Sequence, residues 1–126
     1  MRLLLDSITI GGILFTPGIM TERVRSLLAD PIHEIWVSAI SPYELEWKKR
    51  IGKLAYPDIA DWDATLRICG YQIAPINSKV AVAAAHLPRH HRDPWDRFLI
   101  AQALLSDMTI VTNDREFSAY GVSVVW

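Results

Sequence analysis

The 126-residue chain is 51% hydrophobic and 21% charged, a balance that supplies one buried core and excludes a disordered chain. Its 13 Lys and Arg against 14 Asp and Glu leave a formal net charge of −1, which excludes a generally basic nucleic-acid coat but not a local basic patch. The single cysteine, Cys69, excludes an internal disulfide and a cysteine-rich zinc site and points to a reducing compartment.

Residues 1–5 form an apolar run interrupted only by Arg2 and closed by Asp6. The run does not alternate, so it reads as a strand buried on both faces. Asp6 also arrives too early for an export signal. The charge-free stretch 7–21 contains Gly11, Gly12, Pro17 and Gly18 and is shorter than the roughly 18 to 20 apolar residues of a spanning helix. A cytoplasmic location, no membrane partner and a single domain over residues 1–126 are expected. A helix capped by Thr21 is predicted over 21–29, then a strand over 34–40 (EIWVSAI) and a helix over 42–51 stopped by Gly52. Next come a helix over 57–69 stopped by Gly70, a weaker strand over 71–76 and an Ala-rich helix over 78–86. The last elements are a helix over 94–106 with an apolar stripe of Trp95, Phe98, Leu99, Ala101 and Leu105, and strands over 108–112 and 122–125. Strands alternating with helices in so short a chain define an α/β fold, a mostly parallel five-stranded sheet flanked by helices.

In such a sheet, ligands bind beyond the carboxyl ends of the strands. Asp6 closes the first strand, Glu44 lies early in the helix after the second, and Asp114 follows the strand ending at Thr112. Asp93 and Asp96 open the 94–106 helix, whose N-terminus lies at the same edge because a crossover helix runs antiparallel to its strands. Four segments thus bring carboxylates to one rim. Crowded carboxylates take up protons or bind a cation. An all-oxygen donor set selects Mg²⁺ or Mn²⁺ over zinc, and such an ion activates water and neutralises phosphodiester charge.

Each acid also has a structural explanation. Ser41-Pro42-Tyr43-Glu44 matches a capping box with Ser41 as N-cap. Asp93 reads as N-cap before Pro94, and Asn113 as the cap of a helix carrying Asp114 and Glu116 in its first turn. Only Asp6 is left over, since no evident helix follows it. Among the histidines, His86 and His90 have helical spacing, but Pro88 between them breaks the geometry of a zinc pair. Arg89-His90-His91-Arg92, and Lys48, Lys49, Arg50 and Lys53, are basic clusters that read either as phosphate contacts or as solvated faces. Trp36 and Trp126 read as core; Trp47 and Trp62 are candidates for a partner surface.

These residues resemble PIN-domain ribonucleases, specifically the VapC-type toxins of toxin–antitoxin pairs. The similar stretches are Leu3-Leu4-Leu5-Asp6-Ser7, Trp36-Val37-Ser38-Ala39 through Glu44, Lys49-Arg50-Ile51-Gly52-Lys53-Leu54, His90 through Arg97, Ala101-Gln102-Ala103, and Val111-Thr112-Asn113-Asp114. The resemblance runs over nearly the whole chain and implies a three-layer PIN-like fold. It implies an acidic quartet of Asp6, Glu44, Asp96 and Asp114 holding Mg²⁺ or Mn²⁺, with Asp93 shaping the loop and Thr112 near the site. It further implies endoribonuclease activity on RNA, a homodimer and a small cognate antitoxin. The family often has Asp-Thr-His where this chain has Asp6-Ser7-Ile8, and the glycine-bearing segment after it is expected to be less regularly helical. Two other readings are a PIN-like RNA-binding or protein-interaction module without catalysis, and a phosphoacceptor receiver domain. The receiver requires an acidic pair after the first strand and a lysine after a late one; Asp6 stands alone and no lysine follows Lys79.

Overall fold

Residues 1–90 and 93–126 are described by a computed structural model. The elements in chain order are β1 (Arg2–Leu5), α1 (Ser7–Leu14), a 3₁₀ turn (Pro17–Ile19), α2 (Glu22–Ala29), β2 (Glu34–Ser38) and α3 (Ile40–Arg50). They continue with α4 (Trp62–Ile68), β3 (Gln72–Ala74), α5 (Ser78–His86), α6 (Pro94–Ser106), β4 (Thr109–Val111), a 3₁₀ helix (Arg115–Tyr120) and β5 (Val124–Val125). The five strands form one sheet in the order β3-β2-β1-β4-β5, and every pair is parallel.

The central strand explains why the sequence opens on uninterrupted leucines. Successive side chains of a strand point to opposite faces. Leu3 and Leu5 enter one core with Ile10, Val24, Val37, Leu45, Leu66 and Val111, while Leu4 enters the other with Leu99, Ile100, Ala103, Ile110 and Phe117. All three leucines are fully buried, each contributing about 1.5–3 kcal/mol by removal from water. Helices therefore cover both faces, as the absence of alternation predicts. No helix among the described residues is long and apolar enough to cross a membrane.

Helix boundaries follow local capping rules with instructive exceptions. Thr21, Asp61, Asn77 and Asp93 each cap the helix that follows by accepting a backbone N–H. Gly52 and Gly70 adopt the left-handed conformation just beyond α3 and α4, as their places in the sequence suggest. The fourth helix begins at Trp62, not at 57, because Asp61 supplies the cap and residues 57–61 stay outside it. The second strand ends at Ser38, and Ile40 already belongs to α3. On α6, Leu99 through Ala103 are buried, but Leu105 is exposed. Buried Gln102 donates from Nε2 to the carbonyls of Ala74 and Pro75, pinning α6 to the end of β3.

Strands β1, β2 and β3 succeed one another in one direction, whereas β4 and β5 lie on the other side of β1. The sheet order therefore reverses between β1 and β4, where loops from adjacent carboxyl ends diverge and leave a crevice.

Candidate metal centre at the carboxyl edge

Asp6 follows the last residue of β1, directly at the reversal. It is buried, and it caps α1: its Oδ1 accepts the backbone N–H of Thr9 at 2.8 Å and lies 2.7 Å from the Thr9 hydroxyl. That hydroxyl also lies 2.9 Å from the Val111 carbonyl of β4, tying the α1 entrance to the neighbouring strand. The segment after Asp6 is thus a regular α-helix despite Gly11 and Gly12, and a structural role exists for the one acid that sequence alone left without one. Burial pushes the Asp6 carboxyl up from its ordinary pKa. Hydrogen bonding by Thr112 and Thr9 opposes this, and the negative charge of Glu44 adds to it.

Glu44 shows the reverse. The predicted capping box does not form. α3 starts two residues earlier, after Ala39, with no side-chain cap; the Ser38 hydroxyl instead accepts the N–H of Ile40. Ser41 therefore lies inside the helix, and Glu44 is a full turn in, too far along to reach back to an N-cap. Glu44 is 2% exposed. Its Oε2 accepts from the Ser7 hydroxyl at 2.6 Å and from the Lys48 ammonium at 2.5 Å, one turn along α3. Its Oε1 is buried without a hydrogen-bond partner among the described residues. An orphaned carboxylate oxygen is costly, and a cation is the group that suits it.

Asp93 caps α6, accepting the N–H of Trp95 at 2.9 Å, and Asp96 stands in the first turn. From the first turn of α6, the Arg97 guanidinium donates to the carbonyls of Ala84, Ala85, Leu87 and Pro88 at and just beyond the end of α5. Asp114, not Asn113, caps the Arg115–Tyr120 helix, accepting from Glu116, and its own N–H donates to the Thr112 hydroxyl.

Asp6, Ser7, Ile8, Glu44, Lys48, Asp93, Asp96, Asp114 and Phe117 line a single cleft of about 210 Å³. The four acids of the expected quartet, with Asp93, thus meet on one cavity although they come from four segments. As their side chains stand, no three His, Cys, Asp or Glu residues among those described are grouped closely enough to hold a metal ion. The donor chemistry still suits a hard cation: all candidate ligands are carboxylates, one presents an orphaned buried oxygen, and Mg²⁺ binds through one or two carboxylates while keeping several waters.

Lys48 and Ser7 were not singled out in the quartet. Lys48, from the basic cluster that reads either as phosphate contacts or as a solvated face, is turned onto Glu44, and Lys49 pairs with Asp58. The signal was the four-residue Glu44–Lys48 spacing, which places both on one helix face. Burial lowers the Lys48 pKa, but the hydrogen bond and charge of Glu44, with Asp93 and Asp96 adding, outweigh it and raise it overall. Ile8 lines both the acidic cleft and an adjoining apolar cavity of about 220 Å³ that includes Gly11, Phe15, Leu54 and Tyr56. Trp62 is half-buried against the core, donates from Nε1 to Glu46 and meets Tyr56 edge-on, whereas Trp47 is exposed. Trp36 and Trp126 pack against the core as expected. In the Arg89–Arg92 cluster, His90 meets Tyr120 edge-on, and His91 and Arg92 lie outside the described residues.

An all-parallel 3-2-1-4-5 sheet with flanking helices is the PIN-like architecture. The chain belongs to the PIN domain family, whose sequence pattern matches residues 4–122. Among solved structures, it is similar to VapBC2 from Rickettsia felis bound to a DNA fragment from its promoter, with a TM-score of 0.72 and 19% identity, covering 100% of this chain and 99% of that one. It is also similar to FitAcB from Neisseria gonorrhoeae (TM-score 0.62, 21% identity, 98% and 96% covered). A third is a toxin–antitoxin complex from Klebsiella pneumoniae (TM-score 0.63, 16% identity, 98% and 96% covered). Identities this low carry the fold alone. No curated protein matches the sequence.

Proposed function

We propose that the chain is a divalent-metal-dependent endoribonuclease that hydrolyses RNA phosphodiester bonds as the toxin of a toxin–antitoxin pair. The observation that carries this reading is the buried Glu44 carboxylate, held at Oε2 by Ser7 and Lys48 with Oε1 orphaned in a cleft shared with Asp6, Asp96 and Asp114. In this reading, Asp6 and Asp96 hold Mg²⁺ or Mn²⁺ directly, and Glu44 and Asp114 complete its shell or orient the attacking water. When bound, the ion supplies charge neutralisation at the scissile phosphate and lowers the pKa of water. The protein's part is positional. Thr9 and the α1 N-terminus fix Asp6, Ser7 and Lys48 fix Glu44, and the Asp93 cap fixes the turn carrying Asp96. No Ser or Cys nucleophile is required.

The similar structures, a toxin–antitoxin complex from Klebsiella pneumoniae and VapBC2 from Rickettsia felis bound to promoter DNA, support an antitoxin partner for this chain. We extend the proposal to a homodimer of single-domain chains acting in the cytoplasm. The spread of the carboxylates, with no three grouped as they stand, favours a second reading, a PIN-like module that binds RNA or protein without cutting. Incubating the purified protein with RNA decides between them. The nuclease reading expects cleavage with Mg²⁺ or Mn²⁺, none after EDTA, and strongly reduced cleavage for Asp96→Asn; cleavage by that variant at the wild-type rate contradicts the assignment.

A further inference from the structure

Lys48 is the one cationic side chain among the described residues that line the cleft, and a set of metal-binding acids does not call for it. Its ammonium sits 2.5 Å from Glu44 Oε2, and the same oxygen accepts from Ser7. That oxygen is therefore occupied twice, while Oε1 of the same carboxylate is buried and has no partner among the described residues. The two oxygens face different electrostatic surroundings: one is neutralised by a side chain, and the other still needs a charge or a donor. Lys48 also lines the acidic cleft together with Asp6, Asp93, Asp96 and Asp114. It responds to the charges of Asp93 and Asp96 as well as to that of Glu44.

We propose that Lys48 is a built-in cation that takes the place of a second metal ion, so that the cleft binds one divalent ion, on the Oε1 side of Glu44. Two divalent ions in a nuclease cleft sit about 3.5–4 Å apart and share carboxylates between them. An ammonium fixed on one face of Glu44 denies that face to a second ion by charge repulsion and by occupying Oε2. It is nonetheless a compact point charge that offers a donor to a phosphate oxygen. The ammonium and one ion together then offset part of the negative charge of the carboxylates that line the cleft.

This inference rests on the metal-dependent reading, and direct titration of the purified chain with Mn²⁺ separates the two. Free Mn²⁺ is followed by its electron paramagnetic resonance signal, with no RNA present. The wild-type chain is expected to bind one Mn²⁺. Lys48→Met keeps the aliphatic stem but removes the charge. It is expected to bind a second Mn²⁺, or to bind the first about tenfold more tightly, because the repulsion is gone. Lys48→Arg, which retains the charge, is expected to keep one ion at near wild-type affinity. Two ions in the wild-type chain overturn the proposal without help from any variant, so it stays testable even if Lys48→Met does not fold. One ion of unchanged affinity in a folded Lys48→Met chain also overturns it, while leaving the metal-dependent reading intact. No ion in the wild-type chain overturns both.

Discussion

The N-termini of α3 and α6 both deliver carboxylates to the same cleft, yet they are built in opposite ways. α6 obeys every local rule: Asp93 caps it, Pro94 occupies the first position and Asp96 complements the dipole in the first turn. α3 breaks them: it starts after Ala39 with no side-chain cap and, among the described residues, leaves the buried Ser41 hydroxyl and one buried oxygen of Glu44 without a partner. Local rules suffice where a helix end has only to be stable. Where they fail and the chain tolerates the cost, the surroundings point to a ligand.

The sharpest test of that contrast is catalytic. Asp96→Asn should lower RNA cleavage by on the order of 10²–10³-fold, the worth of several kcal/mol of charge stabilisation, with little change in melting temperature. Loss of folding without loss of specific activity would make the α6 end purely structural. Next in size, Arg97→Ala strips donors from four carbonyls at the end of α5 and should cost about 1–3 kcal/mol in urea denaturation.

The two aspartate caps should then differ in sign. Asp93→Ala is expected to destabilise by about 1 kcal/mol through loss of its bond to Trp95. Asp6→Asn is expected to stabilise the metal-free protein at pH 7 by on the order of 1 kcal/mol, because asparagine still caps α1 but carries no buried charge. The sign follows from a native pKa above the unfolded one. Asp6 contributes its stability fully below the unfolded value of about 4 and loses it as pH rises through the native value. Melting temperatures of Asp6→Asn and wild type should therefore converge in acid; a gap that widens there would refute the burial argument. Last, Ser41→Ala should stabilise the protein, by up to about 1 kcal/mol, since it removes a buried hydroxyl that has no partner among the described residues.

Most of the architecture was legible in the sequence because it rests on local signals. The unbroken leucines of β1 require cover on both faces, and Asp93-Pro94 and Thr21 mark helix starts that the structure reproduces. The acids could be placed on one edge from the alternation of parallel strands with crossover helices, and all four expected residues do line one cleft. The structural reasons attached to them were less legible. Asp6 proves to be a cap and Glu44 does not, because both outcomes depend on tertiary packing. α1 closes over Asp6 through a threonine bonded to β4, and α3 begins early against Ser38. The Ser7–Glu44–Lys48 arrangement joins residues 37 positions apart and had only the spacing of its two α3 members as a sign.

The central claim is that dispersed acids at the β1/β4 reversal hold a hard divalent ion. The most direct measurement is the melting temperature of the EDTA-treated protein at pH 7 with and without Mn²⁺, for wild type and for Asp6→Asn. Binding to the native state raises the melting temperature, so a rise is expected in the wild-type chain and none in the variant. No rise in the wild type, or an equal rise in both, would contradict the account.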